Sequence, residues 1–154
     1  MSTHDASRTR QVEAIASGTV IDHIPTAATL LVANLLAQSS DQVFIGMNLR
    51  STRIGQKGVV KISLRELDPR QLSCLALIAP SASVSIIRDY HVISKEQVPI
   101  PARFDGIARC ANPNCVTNHE RWTTRFDVVV PNPLTVRCHY CERSFDAGEL
   151  QVIS

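Results

Sequence analysis

The feature that most constrains this chain is a set of four cysteines near its C-terminal end. Cys110, Cys115, Cys138 and Cys141 form the pattern C-x4-C-x22-C-x2-C. A tetrahedral thiolate site needs two close pairs, because each pair supplies two sulfurs from one tight turn and the intervening chain brings the turns together. Turn-forming Asn and Pro residues lie between the first two cysteines, within residues 111–114. The spacing therefore predicts a bound zinc ion.

The predicted zinc is structural, with one ion per chain. Four thiolates complete the metal shell and leave no position for water, so catalytic zinc is not expected. The 53 residues from Ala102 onward are too few to bury a large core, and a metal would supply the missing stability. We expect His119 and His139 at the surface. The fifth cysteine, Cys74, lies in an apolar segment and is expected to pack in a core.

The composition indicates a folded chain without a membrane segment. Hydrophobic residues make up 44% and charged residues 19% of the sequence, enough to bury a core. No apolar run approaches the ~20 residues of a membrane helix, and the polar start lacks the apolar region of a signal peptide. We expect a cytoplasmic protein with no membrane partner, and in that compartment the cysteines stay reduced rather than forming disulfides.

The charge distribution argues against a nucleic-acid partner. The formal net charge is +2, and the part from Ala102 onward carries six arginines against six acidic residues. A nucleic-acid module is expected to be strongly basic. A zinc-ribbon nucleic-acid-binding protein remains the alternative, because it would share the cysteine spacing. We find no arrangement of nucleophile and base, and expect no catalytic residues and no enzyme.

Alternating prolines mark a boundary between two domains. The run Val98-Pro-Ile-Pro101 predicts a stiff extended connector, because proline breaks regular structure on both sides. We therefore predict one domain at residues 1–98 and a second at residues 102–154.

Hydrophobic periodicity predicts the order β-α-β-β-α-β in the first domain. Asp68-Pro69 is a helix-start signal. The segments are a strand at 20–24, a helix at 25–38, strands around 43–49 and 60–64, a helix from 69 to before Pro80, and an extended segment at 84–95 that forms one strand or two around Asp89. This order predicts an α+β fold, the ferredoxin-like sandwich. The second domain shows only short strand patterns, which predict a small antiparallel β zinc-binding domain.

A lysine-bearing sheet face is the candidate ligand site of the first domain. Lys57 and Lys61 are four residues apart on one strand, so both lie on the same side, with Val60, Ile62 and Leu64 on the opposite core side. The chain contains neither of the glycine-rich phosphate-binding motifs. The residues alone leave two interpretations open, namely solvated surface lysines or an anion-binding face.

The sequence resembles the regulatory chain of aspartate carbamoyltransferase over nearly its whole length. The resemblance rests on Gln11-Val-Glu-Ala-Ile15, Gly18-Thr-Val-Ile-Asp-His-Ile-Pro25, Ile45-Gly-Met-Asn-Leu49, Leu75-Ala-Leu-Ile-Ala-Pro80 and the four cysteines. It implies a non-catalytic subunit of pyrimidine biosynthesis whose first domain binds CTP, ATP or UTP as allosteric effectors. It also implies that regulatory-chain homodimers bridge catalytic chains through the zinc domain.

The resemblance also implies a set of nucleotide-binding residues. Lys95 and His23 would contact the triphosphate, Asp22 and Lys61 the ribose, and Lys57 a second nucleotide or the γ-phosphate. Backbone groups would read the base edge, with Val20 packed nearby; these groups belong to Val12, Ala14, Ile15, Tyr90 and Val92.

Two departures from the family pattern leave the nucleotide preference open. Ser85 stands where an asparagine is expected, and Ala16-Ser17 replaces a basic pair. A small amino-acid-sensing domain would also explain the first domain, but not the paired lysines or the zinc domain.

Overall fold

The structure is a computed structural model that describes residues 14–153. Its first part holds the strands and helices β1 (Gly18–Pro25), α1 (Thr29–Leu36), β2 (Val43–Ser51), β3 (Gly55–Ser63), α2 (Pro69–Ile78), β4 (Ser83–Arg88) and β5 (His91–Gln97). The strands form one antiparallel sheet in the order β2-β3-β1-β4-β5. This is the predicted ferredoxin-like βαββαβ sandwich, with β5 added because the chain reverses at Asp89 and Tyr90.

The two helices differ in how well the sequence located them. The start of α2 is as predicted: Asp68 and Gln71 form a capping box, and Pro69 occupies the first turn. The predicted helix over 25–38 is wrong at both ends, since residues 26–28 form a 3₁₀ turn and α1 ends at Leu36. The carbonyl of Leu36 accepts hydrogen bonds from Arg65 and from Gln71 Nε2, which cap the helix there.

Strand β3 follows its predicted alternation until it ends. Val60 and Ile62 are fully buried on the side of the helices. The prediction of Leu64 in the core is wrong, because its side chain is 84% exposed. The strand ends at Ser63, and Leu64 adopts a left-handed φ of 62° with its N–H donating to the carbonyl of Ser17. That backbone turn takes the side chain out of the alternation.

The second part is a small β structure, as predicted. It holds β6 (Arg103–Asp105), β7 (Ala108–Arg109), β8 (Arg125–Pro131), β9 (Leu134–Cys138), β10 (Ser144–Asp146) and β11 (Gln151–Val152). A four-stranded sheet has the order β10-β9-β8-β6, and β11 pairs with β7. Phe104, Phe126 and Val136 are buried in its core. Within residues 14–153 no helix is long and apolar enough to cross a membrane.

The segment between the two parts is extended but is packed against them. Val98 is 2% exposed, and its N–H donates to the carbonyl of Ala82 at 2.9 Å. Arg70 Nη2 donates to the carbonyl of Gly106 at 3.0 Å, and buried side chains run continuously from one part to the other. The two parts are therefore packed against each other and are not joined by the connector alone. The division into domains 1–98 and 102–154 stays a prediction.

Candidate metal centre and ligand-binding face

The four C-terminal cysteines converge on one point. Cys110 follows β7 and Cys138 ends β9, while Cys115 and Cys141 lie in the adjoining turns. All four sulfurs lie within 4.8 Å of one another, with Sγ–Sγ distances of 3.7 Å for Cys110–Cys141 and 3.8 Å for Cys115–Cys138. A tetrahedron with metal–sulfur bonds of ~2.3 Å has edges of about 3.8 Å. The cluster therefore has the size of a tetrathiolate site, and none of its cysteines is in a disulfide.

Hydrogen bonds hold the turns that carry these sulfurs. The amide of Asn118 donates to the carbonyls of Cys110 at 3.0 Å and Asn112 at 2.7 Å. In the second turn, Cys138 N–H donates to the carbonyl of Arg143 at 2.9 Å. These hydrogen bonds hold the backbone of the two turns from which the sulfurs project.

The thiols differ in acidity. Burial raises the pKa of Cys110 and of Cys138. Burial also opposes ionisation of Cys141, but hydrogen bonds from the backbone of Arg143 and the side chain of Asn112 outweigh it and lower the pKa of Cys141 to about 7. Metal binding therefore releases protons from the buried thiols, and metal affinity falls as the pH is lowered.

The remaining candidate ligands lie where the sequence predicted. His119 and His139 are exposed and outside the sulfur cluster. Cys74 is 8% exposed within α2, and burial raises its pKa. Cys74 is a core thiol.

The first sheet brings predicted ligand residues from four strands into one row. We call the side of this sheet away from α1 and α2 the open face. Gly58 marks the helix side, because a Cβ there would meet Thr29 of α1. The register of the open face pairs Lys61 with Val20, Val20 with Ser85, and Ser85 with Lys95. These residues are up to 75 positions apart in the sequence numbering, and strand pairing alone aligns them.

All three lysines of the chain lie on the open face. Lys57, Lys61 and Lys95 are its only lysines. The neighbouring strands β1 and β2 each carry a bulge, and the extra residue lies in β1 or β2 rather than in β3. The side chains of β3 therefore alternate without interruption, and Lys57 stays on the same side of the sheet as Lys61. All other basic charge in the sequence comes from 13 arginines and the histidines. The open face is thus a concentrated cationic surface.

The bulge of β1 places Asp22 and His23 beside these lysines. Lys57 Nζ lies 2.8 Å and 3.0 Å from the two carboxylate oxygens of Asp22. His23 has a left-handed φ of 58°, donates its N–H to Asp22 Oδ1 at 2.6 Å, and places Nδ1 3.1 Å from Ser83 Oγ. The imidazole is therefore fixed at the edge of the lysine row.

Electrostatics at this end of the face favour an anion. Burial lowers the pKa of His23; Asp22 partly offsets this, and Lys57, Arg53 and Lys95 lower it further. Burial acts to raise the pKa of Asp22, but the hydrogen bonds from Lys57 and from the His23 N–H, together with the positive charge nearby, outweigh it and the pKa is lowered. The charges of Lys57, Arg53 and Lys95 thus all disfavour protonation of this imidazole, and a bound anion would favour it.

A cavity of about 340 Å³ adjoins the lysine row on the side away from the Asp22–His23 bulge. It is lined by Ala14, Ile15, Ala16, Ser17, Gln42, Phe44, Ser63, Leu64 and Tyr90. Phe44 pairs with Lys61 in the register, which places the cavity beside the lysine row. The predicted base-binding residues Ala14, Ile15 and Tyr90 therefore line one cavity.

Several cavity residues were not predicted. None of Phe44, Gln42 and Leu64 carries a motif. Phe44 is placed by the β2–β3 register, whereas Gln42 and Leu64 are placed by the hydrogen bonds Ser63 N–H to the Gln42 carbonyl and Leu64 N–H to the Ser17 carbonyl. Among the predicted residues, Val92 is 59% exposed and lies in β5 opposite Ile87. Val12 lies outside the described residues.

A cationic ferredoxin-like sheet joined to a four-thiol β module defines a candidate anion-binding protein with a metal-binding module. Residues 10–99 match the family model described as aspartate carbamoyltransferase regulatory chain, allosteric domain, and residues 102–151 match the metal binding domain of the same chain. The chain therefore belongs to the aspartate carbamoyltransferase regulatory chain family. The resemblance stated from the sequence is confirmed, and the chain is regulatory rather than an enzyme.

Individual relatives agree with this assignment. The aspartate carbamoyltransferase regulatory chain of Pyrococcus abyssi is 46% identical over 144 residues, covering 91% of this chain and 95% of the relative. That of Porphyromonas gingivalis is 44% identical over 145 residues, covering 92% and 95%. The match spans both parts of the chain, which disfavours the nucleic-acid-binding alternative.

Proposed function

We propose that the open face binds CTP, ATP or UTP and that the chain passes this occupancy to the catalytic chain of aspartate carbamoyltransferase, in pyrimidine biosynthesis. The observation that carries the proposal is the gathering of all three lysines on one sheet face, between a cavity and the Asp22–His23 bulge. A nucleotide needs these parts in this order, namely a pocket for the base and cations for the phosphates.

The nucleotide would lie across the row. The base would occupy the cavity against backbone groups near Ala14 and Tyr90, and the ribose would reach Lys61 and Asp22. The phosphates would lie toward Lys95 and His23. Ser85 lies between Val20 and Lys95 and is 7% exposed. Its short side chain leaves more room there than an asparagine would, which bears on nucleotide preference.

Substitution of the lysines tests the site. Lys95→Ala and Lys61→Ala should each weaken CTP binding about tenfold, since a hydrogen bond to a charged group contributes ~1.5–3 kcal/mol. Isothermal titration calorimetry measures this, with Arg121→Ala in the second part as a control of equal charge change. CTP should also protect the three lysines from reductive methylation, followed by mass spectrometry. Unchanged affinity in both lysine variants would exclude this site.

The metal proposed for the sulfur cluster is a single structural zinc ion. Cys110, Cys115, Cys138 and Cys141 would hold it, and four sulfurs complete its shell. The support is the fit between the sulfur–sulfur distances in the cluster and a tetrahedral zinc site. Elemental analysis should find one zinc per chain. Another metal, or none, in protein purified without chelator would contradict this identity.

The metal-binding part is the proposed docking surface for the catalytic chain. Trp122 is 50% exposed and packs edge-on against Tyr140 at 5.4 Å, within the turn between Cys138 and Cys141. Val129 is also 54% exposed nearby in sequence on β8. An exposed tryptophan held against a half-buried tyrosine is typical of an interface anchor. Copurification with the catalytic chain, then aspartate saturation curves with each nucleotide, tests both docking and regulation.

A regulatory-chain homodimer is proposed through α1 and β2. Strand β2 lies at the edge of the first sheet. Leu30 and Leu31 are 52% and 48% exposed on α1, and Ile45 is 44% exposed on β2. An open strand edge with apolar neighbours invites pairing with a second copy. Light scattering should report a dimer that Ile45→Lys weakens, with Val92→Lys as the matched control on β5.

A further inference from the structure

Arg53 lies in the loop between β2 and β3 and faces a cleft that the nucleotide site as described so far does not use. Its backbone N–H donates to Ser51 Oγ at 3.3 Å. The cleft has a volume of about 360 Å³ and lies between the first sheet and the β8–β9 turn. Its lining consists of Arg53, Pro80, Ser81, Gln97, Val98, Ile100, Pro131 and Asn132.

Strand pairing places the cleft next to the cationic end of the open face. Gln97 pairs with Ser83 in the register, and Ser83 pairs with Asp22. The hydroxyl of Ser83 is 3.1 Å from His23 Nδ1. Gln97 is two residues beyond Lys95 on β5, which places both on one side of the sheet. A phosphate chain that leaves the lysine row past His23 therefore enters this cleft.

The positive charge of Arg53 also acts on His23. It contributes, with Lys57 and Lys95, to the lowered pKa of His23. Arginine presents a planar fork of donors that matches two phosphate oxygens at once. The neighbouring side chains Gln97, Ser81 and Asn132 are uncharged and polar, so a phosphate at this place would be held mainly by the guanidinium.

We propose that Arg53 is a further phosphate-binding residue and that its cleft receives the terminal phosphate of a nucleoside triphosphate. The inference rests on the proposed nucleotide site. It adds that this site prefers nucleoside triphosphates to monophosphates, because only a triphosphate reaches Arg53. Because the cleft is also lined by Pro131 and Asn132, the terminal phosphate would lie at the junction with the metal-binding part.

The test compares Arg53→Gln with Arg50→Gln, an exposed arginine on the adjoining strand β2. Calorimetry on the full chain uses CTP, CMP and inorganic tripolyphosphate as separate probes. Arg53→Gln should weaken binding of CTP and of tripolyphosphate about tenfold, as expected for loss of a hydrogen bond to a charged group, and should leave CMP binding unchanged. Arg50→Gln should leave the dissociation constants of all three probes unchanged. Thermal denaturation checks that both variants fold.

The outcomes separate the two proposals. Tight CTP binding by the parent with an equal constant for Arg53→Gln overturns the role of Arg53 and leaves the nucleotide site standing. An equal loss for CMP and CTP also overturns it, because the effect would not belong to the terminal phosphate. A parent chain that binds none of the three probes refutes the nucleotide site and Arg53 together.

Discussion

Removing one sulfur from the metal cluster, by the substitution Cys138→Ala, tests how far the second part depends on its metal. Cys138 is fully buried at the end of β9, and its sulfur lies 3.8 Å from that of Cys115. The expected result is loss of the bound metal and unfolding of residues 102–153. The first sheet should stay folded, because it has its own core around Ile21, Ile62 and Leu75.

The expected magnitude is large. A structural zinc site contributes about 10–16 kcal/mol to small domains near pH 7, whereas a whole domain is stable by only about 5–15 kcal/mol. Changes around a metal ligand already cost about 10–100-fold in metal affinity, and removing the ligand costs more. The second part has short strands and a small core to compensate, whose large apolar side chains are Phe104, Ile107, Phe126, Leu134, Val136 and Leu150. Its packing cannot replace the metal.

The chain carries its own probe for this experiment. Trp122 is its single tryptophan and contacts Tyr140 between two metal ligands, so its fluorescence reports on this part alone. Native mass spectrometry counts the metal, and amide NMR spectra show which residues unfold. Cys74→Ala is the matched control, since it removes a buried thiol far from the cluster in sequence. A metal-free Cys138→Ala protein with unchanged tryptophan emission and dispersed amide signals throughout would refute the reasoning.

Two further predictions concern the first part of the chain. Gly58→Ala should cost about 3 kcal/mol or more in unfolding free energy, because the new Cβ would lie 1.8 Å from Thr29 Oγ1; a thermal transition equal to that of the parent would contradict it. Asp41→Asn should cost about 1–2 kcal/mol at pH 7, since Asp41 Oδ2 accepts from Arg65 Nη2 and Nε at 2.7 and 3.1 Å. The hydrogen bond from Arg65 lowers the pKa of Asp41 below 3.8, so its contribution is present above that pH and is lost as the pH falls further. Urea titrations at pH 7 and pH 3 should therefore differ, and an equal cost at both would argue against the ion pair.

Local spacing was enough to predict the features that depend on neighbours in sequence. Two cysteines five or three positions apart in sequence share one turn, so each pair can be recognised from the sequence alone. The start of α2 was readable for the same reason, since Asp68 caps the helix through Gln71 three residues later. The common side of Lys57 and Lys61 follows from the period of a single strand.

Only the tertiary structure decided how distant segments meet. No local pattern places Lys95 in line with Lys61, because that alignment depends on the register of three successive strand pairs. The bulge in β1 that turns His23 toward Ser83 depends on hydrogen bonds between strands. The end of β3 at Ser63, after which Leu64 is exposed, depends on such hydrogen bonds as well. Arg53 meets a cleft between both parts of the chain only after they pack together. Sequence spacing fixes which residues share a turn or a strand face, whereas pairing between remote segments is a property of the whole chain, because its hydrogen bonds and contacts form only when all segments are in place.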